Sequence, residues 1–144
     1  MNKENQNLQI EIFTKFLELS EKQDLPISIH SRKAQKEVLE ILENYKIKPS
    51  LHWFSGSKKQ FEFAVEKNYF IGFTPSILNS VKYKNIIKNI PLNLILTESD
   101  APINSRSPID IPLIIKEIAL LKEISETSAK EEIEKNIESF LKSN

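Results

Sequence analysis

The chain has 144 residues, 40% of them hydrophobic and 28% charged, with 20 basic and 20 acidic side chains. That is the size and balance of one globular domain with a packed core, and a net charge of zero excludes a global positive field, so any nucleic-acid contact has to be local. With no cysteine and only two glycines, the chain has no disulfide, no thiolate metal site, no P-loop and no Gly-rich dinucleotide loop.

The polar start, Met1 to Asn7, has no signal-peptide core, and no apolar stretch approaches the length of a membrane span. A cytoplasmic location is therefore expected. From Gln9 to Leu19 the spacing predicts a helix with Ile12, Phe13, Phe16 and Leu19 on its apolar face. Leu25-Pro26 stops it, and Ile27 to His30 reads as a strand. Ala34 to Tyr45 is the next helix, with Val38, Ile41, Leu42 and Tyr45 at helical spacing. Leu51 to Phe54 reads as a strand, and Ser57 with Gln60 as a capping box for a helix carrying Phe61, Ala64 and Val65. Tyr69 to Thr74 is a third strand, Val81 to Ile90 a helix, and Leu92 to Leu96 a fourth strand. Ile114, Ile118 and Leu121 mark a further helix. Ser128 with Glu131 caps the last one, where Ile133, Ile137, Phe140 and Leu141 share a face. No linker divides the chain, so residues 1–144 read as a single domain. Strands alternating with helices predict an α/β fold with about four parallel strands joined by right-handed crossovers.

Three potential metal ligands fall at or just past strand ends: His30, His52 and Asp100. In a parallel layer those ends lie on one face, where such folds place their chemistry. Taken singly, each histidine is better read as a strand-end residue making a hydrogen bond. Asp100 is sharper, because Thr97-Glu98-Ser99-Asp100 sets two carboxylates directly after an apolar strand. A carboxylate there suits a hard or borderline cation and activates water, although an aspartate before a proline loop is also a common turn residue. Glu98 is two residues from Asp100 and shares its side of a strand, so it reads as a positioning group for ligand or substrate. Arg32 is either a forked partner for phosphate or a surface arginine. Ser55 and Gly56 open a helix whose free N–H groups either meet an anion or form an ordinary capped turn. Lys58 and Lys59 in the first turn of that helix either serve an anion or are solvated. The lysines from Lys82 to Lys88 read as a solvated helix face.

Together these pieces resemble the TatD family of metal-dependent deoxyribonucleases, amidohydrolase-like TIM-barrel enzymes. Ile29-His30-Ser31-Arg32 resembles the family's His-Ser-Arg strand end. Leu51-His52-Trp53-Phe54-Ser55-Gly56-Ser57 is similar to its His-x-Phe-Ser-Gly motif, and Glu98-Ser99-Asp100-Ala101-Pro102 to its Glu-Thr-Asp-x-Pro motif. Asn136 and Phe140 resemble its closing Asn-x-x-x-Phe. Asp110-Ile111-Pro112 stands where Asn-x-Pro is usual. The resemblance implies that His30, His52 and Asp100 bind a divalent ion (Mg, Mn or Zn), with Asp100 also catalytic beside the hydrolytic water. It implies Arg32, Ser55, Gly56 and Glu98 around the substrate, and cleavage of phosphodiester bonds in DNA.

The family also uses a His-x-His pair and a strand-end glutamate upstream of the segment that begins near Gln9. This chain has no histidine before His30, and a full (β/α)₈ barrel takes about 250 residues. The expectation is therefore a partial TIM barrel, the C-terminal half, with an incomplete metal shell. A homodimer would approximate a full barrel but bring no His-x-His pair, whereas a separate N-terminal half-barrel chain with the missing histidines and glutamate would complete the shell. The alternatives are a noncatalytic remnant or interaction module, or a hydrolase of another small ester or amide.

Overall fold

The computed structural model describes residues 3–103 and 106–142. Four strands form one parallel sheet in chain order: β1 (Ser28–His30), β2 (Ser50–His52), β3 (Phe70–Phe73) and β4 (Ile95–Thr97). Helix α1 (Lys3–Gln23) precedes β1. Helices α2 (Gln35–Leu42), α3 (Lys58–Glu66) and α4 (Val81–Asn89) carry the crossovers, and α5 (Ile111–Lys122) and α6 (Glu126–Lys142) follow β4. This is the α/β alternation expected from the sequence, arranged as four strands of a barrel with flanking helices.

The sheet register explains where the site sits. Ile29 pairs with Leu51, Leu51 with Ile71, and Ile71 with Ile95, so one row of aliphatic side chains crosses all four strands. All four are buried and join the main core under the helices. Alternation along a strand sends the next residue to the opposite face. One position further on are His30, His52, Gly72 and Leu96, which therefore line the other face at the C-terminal strand ends. Fully burying one such aliphatic side chain contributes about 1.5–3 kcal/mol. The row anchors the histidines by packing the residues beside them.

Local signals fix the helix ends. Ser57 and Gln60 form the reciprocal capping box predicted for α3. Ser80 caps α4 by accepting the Tyr83 N–H. Helix α1 stops at Asp24, whose φ of 54° is left-handed, and the Leu25 N–H then returns to Ser20 O at 3.0 Å.

Four expectations are corrected. Helix α1 buries Leu17 and Ser20 and half-buries Phe13, whereas Ile12, Phe16 and Leu19 are 45%, 58% and 48% exposed. The helix carries two apolar stripes, and the denser one faces away from the core. Helix α6 is capped by Ser125, which accepts the Ser128 N–H at 3.0 Å, and not by Ser128. Its Ile133 is buried, but Ile137 and Leu141 lie outward. The lysines of α4 are not simply solvated: Lys82 Nζ donates to Gly56 O at 2.9 Å, and Lys84 pairs with Glu117 at 2.7 Å.

Candidate active site

His30 ends β1 and His52 ends β2, and they are register partners. Their ring centroids stand 5.3 Å apart with planes inclined at 39°. Asp100 comes from the loop after β4, two strands away from β2, yet its Oδ1 lies 3.2 Å from His52 Nε2. On the other side of the same ring, Glu98 Oε2 lies 2.6 Å from Nδ1. The second Glu98 oxygen accepts the Trp53 backbone N–H at 2.6 Å.

Gly72 makes that reach possible. Neighbouring strands lie about 4.8 Å apart, so Glu98 must pass over β3 to touch β2. A Cβ built on Gly72 would fall 2.3 Å from Glu98 Oε1. Only a residue without a side chain leaves the passage open. Two backbone conformations aid the geometry: Trp53 has φ 40° and Asp100 φ 53°. Left-handed backbone at non-glycine residues costs about 1–3 kcal/mol each and clusters at functional sites.

The charges around His52 are unusual for a plain structural histidine. Both ring nitrogens face carboxylate oxygens. A neutral ring has one N–H and one lone pair. If Nδ1 donates to Glu98, the Nε2 lone pair points at Asp100 Oδ1, and that edge needs a positive charge between the two atoms. A proton or a metal ion supplies it. A carboxylate holding the far nitrogen is also the usual support of a metal-bound histidine.

Arg106 adds a fixed positive charge. Its NH1 lies 3.4 Å from Asp100 Oδ2, and its guanidinium carbon stands 4.4 Å from the centre of the Trp53 ring. Sequence reasoning missed this residue, because it sits in a Ser-rich loop with no motif of its own. Nor did it flag Gly72, which reads as an ordinary strand glycine.

A cleft of about 420 Å³ opens beside these groups, lined by His30, Arg32, Trp53, Ser55, Tyr83 and Ile103. Arg32 is exposed and makes no ion pair among the described residues. Ser55 accepts a hydrogen bond from Gln35 Nε2 at 2.8 Å. Gly56 is required for packing: a Cβ there would lie 2.6 Å from the Phe54 ring. Its carbonyl is held by Lys82, so Gly56 acts by shaping the turn into α3. Lys58 faces Glu62 at 3.7 Å on the exposed surface, and Lys59 is exposed.

The donor set partly fits a divalent ion. Two ligands bound to one ion at about 2.1 Å stand about 3–3.4 Å apart. His52 Nε2 and Asp100 Oδ1 have that spacing. Among the described residues, however, no group of three His, Asp or Glu side chains is close enough to hold an ion together. The chain thus presents a fitting pair of donors, with His30 beside it, and not a closed shell.

A parallel strand layer with helices between its strands, and with histidine and carboxylate side chains at its C-terminal strand ends, defines an α/β protein of the TIM-barrel type. The chain belongs to the TatD family: the model described as TatD related DNase matches residues 1–142. It is 30% identical over 145 residues to an uncharacterized metal-dependent hydrolase, MJ1582, of Methanocaldococcus jannaschii, covering 96% of this chain and 58% of that protein. It is 29% identical over 100 residues to the human deoxyribonuclease TATDN3, covering 69% of this chain and 36% of that one. In fold it is similar to a TatD family hydrolase of Entamoeba histolytica, with a TM-score of 0.81, 20% identity, and coverage of 92% of this chain and 56% of that one. The TatD homologue YJJV of Escherichia coli has a TM-score of 0.77 at 24% identity, covering 89% and 54%. The matched part is thus 58% of MJ1582, 36% of TATDN3 and 54–56% of the two solved structures, so the chain spans only part of the length of these relatives.

Proposed function

We propose that the chain is part of a TatD-type metal-dependent hydrolase that cleaves phosphodiester bonds in DNA. His52 and Asp100 would hold the divalent ion, with His30 beside them as a further ligand once the shell is filled, and Glu98 fixes the His52 ring. When bound, the ion supplies Lewis-acid polarisation of phosphate oxygen and an acidified water. Asp100 orients that water and takes part in its deprotonation. Arg32, with no competing carboxylate, binds a phosphate in the cleft, and Ser55 adds a polar contact at the mouth of α3. The observation that carries this reading is the His52 ring held between Glu98 and Asp100, with the cleft beside it.

The unfilled part of the shell is supplied by a half-barrel of the same family that carries the upstream ligands. No helix among the described residues is long and apolar enough to cross a membrane, and the proposed location is the cytoplasm. The test is release of nucleotides from single-stranded DNA with Mg²⁺ or Mn²⁺, with and without a TatD N-terminal half. Turnover that appears only when both halves are present, and is lost in Asp100→Asn, is expected. A noncatalytic, binding-only role is favoured by one observation: no three-donor group exists among the described residues. Stable assembly of the two halves without turnover would establish that second role and refute the first.

A further inference from the structure

The contacts at the site form a closed circuit. His52 Nδ1 meets Glu98, Glu98 accepts from the Trp53 N–H, and the Trp53 ring stacks on Arg106. Arg106 NH1 meets Asp100 Oδ2, and Asp100 Oδ1 returns to His52 Nε2. We propose that Arg106 is the built-in counter-cation of Asp100 and competes with a divalent ion for that carboxylate, so that it sets how tightly the site loads. This rests on the metal-site reading above.

Three features support it. Guanidinium stays charged at any pH a protein tolerates, so Arg106 is always a competitor. Its side chain is only 12% exposed, and the Trp53 face restrains it from swinging into solvent. Its hold on Asp100 is a single 3.4 Å contact and not a short two-pronged fork, which is a grip that another cation can displace.

The competing view is that Arg106 merely orients Asp100 and so helps an ion bind. The two effects have opposite signs, and their sizes decide between them. Orientation recovers the entropy of one short side-chain rotor, which is small. Repulsion between a guanidinium and a dication on the two oxygens of one carboxylate is large, even with the high effective dielectric of a partly wet site. Repulsion wins, so removing the charge should tighten metal binding.

The experiment is calorimetry of Mn²⁺ binding to the 144-residue chain and to Arg106→Gln, Arg106→Lys and Asp100→Asn. Arg106→Gln should bind at least about tenfold more tightly. Arg106→Lys, which keeps the charge, should stay within about threefold of the parent. In the Asp100→Asn background the Arg106→Gln effect should shrink to the residual through-space repulsion, because the contested carboxylate is gone. Trp53 is the sole tryptophan, so its quenching by acrylamide reports the loss of the stacked arginine independently of metal. Equal or weaker Mn²⁺ binding by Arg106→Gln would overturn this proposal and leave the metal site standing. Absence of Mn²⁺ binding in the parent and in Arg106→Gln alike, each assayed also with the TatD N-terminal half present, would overturn both.

Discussion

Glu98 occupies the volume that a side chain at Gly72 would need, with Oε1 2.3 Å from the position of the missing Cβ. Gly72 lies in β3, with Leu96 of β4 as its register partner. The glycine is thus part of the site without touching a ligand. Its hydrogen atom is the only substituent that lets a carboxylate from one strand brace a histidine two strands away.

Gly72→Ala should therefore act at His52. The extra methyl displaces Glu98 from both the His52 ring and the Trp53 N–H. Overpacking with loss of these bonds should lower stability by about 1–3 kcal/mol. Thermal melting gives the first quantity, and the emission of Trp53 gives the second. An alanine variant with unchanged melting and unchanged emission would contradict this account.

Asn136 should prove structural. Its buried amide donates to Leu92 O and Ile95 O, both at 2.8 Å, and so fastens α6 to the entry of β4. Asn136→Leu removes both buried hydrogen bonds and leaves Leu92 O with only the Ile95 N–H, at a cost of about 1–3 kcal/mol. Denaturant unfolding measures it. Mn²⁺ affinity of the folded variant should not move.

Stability should fall above the ordinary tyrosine range. Burial pushes the Tyr69 hydroxyl upward, with the nearby Glu43 charge adding to it, and burial raises Tyr83 likewise. The unfolded chain then loses these protons first, near pH 10, while the folded chain retains them. The unfolded state binds fewer protons, so stability declines as pH rises past about 10. Lys122 works the other way: burial lowers it, so the folded chain releases that proton first and gains as pH rises toward the usual lysine range. Two tyrosines oppose one lysine, and a net loss is expected. Tyr69→Phe should flatten the decline in melting temperature measured between pH 9 and pH 11 (pH values of about that range); an unaltered slope would exclude Tyr69 as its source.

The outward stripe of α1 should govern solubility and not folding. Phe16 and Leu19 are exposed, and Leu8 and Ile12 extend the stripe. Phe16→Glu with Leu19→Glu should change stability by no more than about 0.5 kcal/mol per site. The same pair should suppress self-association in sedimentation runs at raised concentration. A large drop in melting temperature would show that the stripe packs inside the domain.

Much of the site was legible because parallel βα units place strand ends on one side, and the His30, His52 and Asp100 motifs stand at those ends. The capping box of Ser57 and Gln60 was legible because it is a local arrangement. What stayed hidden depends on contacts distant in sequence. Gly72 matters only through Glu98, and Arg106 only through Trp53 and Asp100. In α1 the periodicity pointed to Ile12, Phe16 and Leu19 because apolar content alone does not say which of two stripes meets the core. Leu17 and Ser20 were chosen by tertiary packing. Lys82 looked solvated because a lysine's reach to a carbonyl on another helix's entry turn leaves no pattern in its own helix.

The placement of the helices has a consequence for how a closed ring of strands can arise. Helix α1 precedes β1 and sends Phe13 and Leu17 to the core, while α6 packs on β4 and sets its Phe140 ring 5.8 Å from Phe70 of β3. Helix therefore stands before the first strand and after the last, beyond the three crossover helices. Two copies joined edge to edge would bring six α-helices each among the described residues to a ring of eight strands, where the simple barrel uses about eight. At each junction α1 of one copy would contend with α5 and α6 of the other for a single gap. A complement with bare flanks, four strands with helices only between them, meets no such crowding. The helices of this chain would thus set more bulk against its own duplicate than against an unlike segment with bare flanks, a difference of volume at the seams and not of any recognition motif.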